Sequence, residues 1–172
     1  WKSGLHEARI LASMIDDPLQ VSAAQMDEWV GDFDSWDVCD QTCGNLFHKT
    51  KYTYKKIDQF VRDPREFVRR TAFTLMAILA VHDKKASDDI FIHFLTVIQK
   101  YATDERNFVK KAVNWALRQI GKRSEALRLR AIASAHSILL IDSAAARWIA
   151  RDALRELQSD AVRRRLAKIV PL

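Results

Sequence analysis

Apolar residues recur at three- and four-residue intervals along nearly the whole chain, as in Phe67, Thr71, Leu75, Ile78 and Leu79, and again in Phe108, Ala112, Trp115, Ala116 and Ile120. That period marks one stripe of an α-helix, and no run alternates as a half-buried strand would. Helix-start signals punctuate the pattern: Ser35 before Trp36, Asp63-Pro64, Ser87 before Asp88-Asp89, Asp104-Glu105, Ser124-Glu125 and Asp142-Ser143. Ser and Asp there offer oxygens to the unpaired N–H groups of a first turn, and Pro suits a first-turn position. Breaks at Gly31, Asp83 and Gly121 close the preceding helices. The pattern predicts ten helices, at about residues 5–16, 22–31, 35–48, 53–62, 64–82, 87–101, 105–121, 124–140, 142–157 and 160–168, grouped as five antiparallel pairs.

One stretch repeats. Asp63-Pro64-Arg65-Glu66-Phe67-Val68-Arg69-Arg70-Thr71-Ala72 returns 41 residues later as Asp104-Glu105-Arg106-Asn107-Phe108-Val109-Lys110-Lys111-Ala112-Val113. A weaker third copy places Ile149-Ala150-Arg151 where Phe108-Val109-Lys110 stand, with Asp152 interrupting the second cation. A period of about 40 residues filled with helix formers predicts stacked helical pairs, each burying its apolar stripe against its neighbours. The expected fold is all-α: a curved superhelical stack of antiparallel helix pairs of the HEAT-like type, forming a single domain over residues 1–172. The hydrophobic fraction of 48% fits a globular core of that size.

Charge changes the picture. Residues 1–50 carry 3 basic and 9 acidic side chains, net −6, while residues 51–172 carry 25 and 13, net +12. With cations doubled in register at Arg69-Arg70 and Lys110-Lys111, the basic part points to a polyanion, and nucleic acid suits it better than a membrane surface. The apolar run from Ala131 to Ile141 is broken by His136 and Ser137, well short of a span. The chain opens on Trp1 without Met, charged leader or cleavage signal, so a fragment of a longer chain is expected. Cys39 and Cys43, one helical turn apart, are poorly placed to bridge each other; reduced thiols and a cytoplasmic setting follow. With His48 they make only three possible ligands, too few and too widely spaced to predict a metal.

Three segments carry candidate chemistry. If Ser35 caps a helix, Trp36 and Asp40 lie one turn apart on one side, bringing an indole and a carboxylate to one point. Taken alone, the pattern suits Trp36 as a core anchor and Asp37 as a complement to the helix dipole, whereas Asp40 lies beyond the strongest part of that dipole. Arg69 and Arg70 point about 100° apart, so one of them at most faces a given groove as a phosphate clamp. Trp115 follows Lys111 by one turn and replaces Thr74 of the preceding copy, so the repeat does not itself demand an indole there.

Trp-Asp-x-x-Asp at Trp36, then Arg-Arg-Thr-Ala at Arg69, then Lys-Lys-Ala-x-x-Trp-x-Leu-Arg from Lys110 to Arg118, together resemble the AlkD-like DNA alkylation repair proteins, over essentially the whole chain. These are HEAT-like DNA glycosylases that excise alkylated purines. The resemblance implies that Asp40, Trp36 and Trp115 are catalytic and that Arg70 contacts phosphate; the repeated cations add Lys111, and Arg118 is a further candidate for phosphate binding. It implies monofunctional hydrolysis of N3- or N7-alkylated purines in duplex DNA, with no metal or other cofactor, by a monomer that is cytoplasmic and nucleoid-associated when bound to DNA. Members usually carry several more N-terminal helices before the segment matching Trp1. Two alternatives stay open: a non-catalytic paralogue that binds DNA structures, and a helical-repeat scaffold for an acidic protein partner.

Overall fold

A computed structural model of the chain describes residues 1–168, and the expected domain's last four residues lie outside them. The described residues hold ten α-helices and no strand: α1 His6–Ile15, α2 Ala23–Gly31, α3 Trp36–Asn45, α4 Thr53–Phe60, α5 Glu66–His82, α6 Asp88–Tyr101, α7 Asn107–Gly121, α8 Glu125–Leu139, α9 Ala144–Leu157 and α10 Asp160–Ala167. A 3₁₀ turn, Phe47–Lys49, replaces the expected end of α3, with His48 Nδ1 bonded to the Cys43 carbonyl (3.1 Å). Ser22, Ser87, Ser124, Ser143 and Ser159 cap their helices by accepting from backbone N–H groups of the first turn.

Two of the expected starts, those of α5 and α7, fall two residues early for one shared reason. At α5 and α7 the helix begins only at Glu66 and Asn107, because Asp63 and Asp104 turn back onto the residue two positions on. Asp63 Oδ1 accepts from Arg65 N (2.9 Å) and Nε (3.0 Å), and Asp104 Oδ1 accepts from Arg106 N (3.2 Å) and Nε (2.9 Å). The repeated Asp-x-Arg is thus a folded clamp before each helix, and Pro64 precedes the first turn instead of occupying it. Ser35 sits in extended backbone at the start of α3, but its hydroxyl makes no capping bond.

Helices α1, α3, α5, α7 and α9 pack side by side in chain order, with α5 against α7 the most extensive contact. Behind them α4 packs on α5, α8 on both α7 and α9, α6 on α8, and α10 on α9. The buried apolar side chains make one continuous cluster through the stack. Its centre is α5, where Phe73, Leu75, Met76 and Ala77 are wholly buried, so polar residues of this helix must find partners inside the protein. Close packing also fixes the end of α7: a Cβ on Gly121 would stand 2.7 Å from Leu157 Cδ2 of α9.

Cys39 and Cys43 are free and wholly buried. Cys39 Sγ lies 3.4 Å from Thr71 Oγ1 of α5, and burial pushes the Cys43 thiol well above its usual range. Both act as small apolar side chains in the α3–α5 contact.

Candidate active site

Three neighbouring helices of the front layer each present a pair of residues one turn apart: Trp36 and Asp40 on α3, Arg70 and Thr74 on α5, Lys111 and Trp115 on α7. The 3.6-residue repeat puts both members of each pair on one side of their helix, and side-by-side packing brings the three pairs together. Trp36, Asp40, Arg70, Phe108, Lys111 and Trp115 line a cavity of about 360 Å³. Trp36 is 53% exposed at its rim, whereas Trp115 is half-buried. The Phe67 and Phe108 rings, whose centroids are 5.3 Å apart, pack together at the start of α5 and α7.

Asp40 and Arg70 form a two-pronged ion pair. Arg70 Nε donates to Asp40 Oδ1 (3.0 Å) and Nη2 to Oδ2 (2.7 Å). Thr74 Oγ1 donates to Asp40 Oδ1 (3.0 Å), and Arg70 Nη1 donates to the Phe108 carbonyl (2.6 Å). A carboxylate offers about four acceptor directions. Three are filled here, which leaves one on Oδ2. Arg70 is 5% exposed, so its guanidinium belongs to the floor of the site. Lys111 is exposed and has no ion-pair partner among the described residues.

Arg118 is not brought to this cavity. Its guanidinium lies against α9, where Nη1 is bonded to Glu156 and Nε stands 3.6 Å from Asp152. The repeat explains the diversion. Asp152 and Glu156 hold the positions on α9 that Lys111 and Trp115 hold on α7, so the fourth pair of the layer is acidic and captures Arg118 and Lys122. Arg69 is diverted as well: Nη1 donates to Asp104 (2.8 Å) and Nε to the Val61 carbonyl (3.1 Å).

Sequence inspection missed Thr74 as a partner of Asp40 and the Phe108 carbonyl as a partner of Arg70. Thr74 was within reach of the pattern, since it follows Arg70 by one turn; the carbonyl was not, because nothing in residue identity points to it.

A family model described as DNA alkylation repair enzyme matches residues 1–157. The chain belongs to the DNA alkylation repair enzyme family. No curated protein matches it in sequence. Among solved structures, it is similar to one described as a new family of proteins related to the HEAT-like repeat DNA glycosylases with affinity for branched DNA structures. That similarity has a TM-score of 0.78 at 17% identity, over 96% of this chain and 72% of the other, and bears on the fold. No helix of this family member's described residues is long and apolar enough to cross a membrane.

Proposed function

We propose that the protein is a DNA glycosylase that hydrolyses the N-glycosidic bond of cationic N3- or N7-alkylated purines in duplex DNA. The observation that carries this is the single cleft shared by Asp40, Trp36, Trp115 and Lys111. An alkylated purine already bears positive charge and departs neutral, so neither a metal nor a strong general acid is required. Positive charge builds on the deoxyribose as the bond breaks. Asp40 beside C1′ stabilises that charge and holds the attacking water through its remaining acceptor direction on Oδ2. The ion pair with Arg70 and the bond from Thr74 hold the carboxylate in one orientation, so Arg70 acts as a positioning residue under Asp40. Indole faces attract cations by about 0.5 to 2 kcal/mol each, and Trp36 and Trp115 contribute in that way. Lys111 holds a neighbouring phosphate.

The test is single-turnover base release from a duplex carrying 7-methylguanine. Asp40→Asn is expected to lose at least about a hundredfold in rate while DNA affinity is kept or slightly raised. Equal rates for wild type and variant would sink the assignment. Lys111 is the one amine lining the cleft, so borohydride trapping checks for lyase chemistry; hydrolysis alone leaves no covalent adduct.

One observation favours a second reading, DNA-structure binding without chemistry. Asp40 already has a structural use in its ion pair with Arg70, and the similar solved structure is described by affinity for branched DNA. Tight binding of branched over linear DNA with no base release from any alkylated duplex would favour that reading.

A further inference from the structure

We infer that Trp148, Arg151 and Lys110 form a second nucleic-acid subsite, on α9, which stacks an unpaired base. This rests on the DNA-binding reading above and concerns a different part of the front layer. Trp148 is 42% exposed, while the next two residues of α9, Ile149 and Ala150, are wholly buried. The helix therefore sends its apolar stripe inward and leaves its indole in water, an arrangement that packing of α9 does not require. Lys110 Nζ stands 5.3 Å from the centroid of the Trp148 ring. Asn114 Nδ2 donates to the Ile149 carbonyl (3.1 Å), which ties α7 to α9 beside the indole.

The same indole borders a cavity of about 410 Å³ lined also by Arg147, Arg151, Asp152 and Arg155. Arg147 is paired with Asp142, and Arg155 with Asp152. Arg151 is exposed and has no ion-pair partner among the described residues. An exposed aromatic face beside unpaired cations is the chemistry that takes a base and its phosphate together. Inside a duplex both faces of every base are already covered by neighbours, so this indole gains nothing from an intact stack. A base in a single-stranded flank satisfies it. Lys110 adjoins Lys111 in sequence, so the basic pair of α7 divides between the two sites, Lys111 at the Asp40 cleft and Lys110 at Trp148.

The test measures binding of the full chain by fluorescence anisotropy to three probes: a blunt duplex, that duplex with a single-stranded thymidine tail, and that duplex with an abasic tail of equal length. The abasic tail keeps the phosphates and removes the bases. Wild type is expected to prefer the thymidine tail to the abasic one by about tenfold. Trp148→Ala should erase that preference, Trp148→Phe should keep most of it, and both should leave base release from an alkylated blunt duplex unchanged. Arg151→Gln should weaken binding of both tailed probes equally. A wild type indifferent to the bases of the tail, or a Trp148→Ala variant that keeps the preference, overturns the inference. So does a polyglutamate peptide that binds with a loss on Trp148→Ala while the tails show none, which would make the surface a site for an acidic protein. A base-dependent preference in a protein that releases no alkylated base leaves this subsite standing and removes only the glycosylase reading.

Discussion

The two copies of the repeat, on α5 and α7, carry cations at the same positions and use them in opposite ways. On α5, Arg69 is spent on Asp104 and Arg70 on Asp40. On α7, Lys110 and Lys111 find no carboxylate among the described residues; Lys110 lies against an indole and Lys111 faces the cleft. The difference comes from what each helix has for neighbours. α5 packs against α3, which belongs to the acidic first part of the chain and brings Asp40. α7 packs against α9, whose acids Asp152 and Glu156 take Arg118 and Lys122 instead. One pattern of basic residues therefore builds a rigid floor in one copy and an unpaired rim in the next, among the described residues.

Substitutions that remove the partners should break this contrast, and the largest effect is expected at Arg70. Arg70→Ala leaves Asp40 partly buried with Thr74 as its remaining side-chain partner, and strips the Phe108 carbonyl of its donor. Stability should fall by about 3 kcal/mol, measured by urea unfolding, whereas Lys111→Ala should change it by less than about 0.5 kcal/mol. Arg70→Lys should recover little, because an ammonium cannot reproduce the two-pronged fork.

A smaller effect is expected where α5 meets the turn before α7. Burial alone would raise the pKa of Asp104, but hydrogen bonds from Arg106 and Arg69 outweigh it and bring it down from 3.8 to about 2. A carboxyl lowered in this way stabilises the fold above about pH 4, and that contribution is lost as pH falls toward about 2. After solvent screening it amounts to about 1 to 2 kcal/mol. Asp104→Asn should therefore unfold at lower urea than wild type at neutral pH, and the gap should close as the titration approaches pH 2.

Thr74→Val sharpens the contrast further, since α7 carries Trp115 at that position. Losing one hydrogen bond to the carboxylate should cost about 1 kcal/mol, seen as a few-fold slower base release with DNA affinity unchanged. The smallest effect belongs to Lys111→Ala. Binding to undamaged duplex should weaken equally for all sequences, and the log-log salt slope should become shallower by about 0.9. An unchanged slope would mean that this ammonium touches no phosphate.

Much of this was legible along the chain. The three-and-four spacing gave all ten helices to within a few residues, because a buried stripe must follow the period of the helix that carries it. The same period joined Trp36 to Asp40 and Lys111 to Trp115. The starts of α5 and α7 were misplaced because Asp63 and Asp104, which resemble caps, instead clamp an arginine two residues away. Arg118 was expected to bind phosphate as the last residue of the Lys110–Arg118 motif. That expectation could not include α9, 34 residues downstream of Lys122, with Glu156 waiting there.

Sequence by itself determined the helices, their 41-residue register and which residues share a side of each helix, since these depend on local geometry and on the period of apolar residues. Only the tertiary structure decided which charges meet. It paired Asp40 with Arg70 across 30 positions, took Arg118 out of the cleft and left Lys111 and Trp148 facing solvent. An ion pair depends on distances between helices, and those are set by the packing of the whole layer.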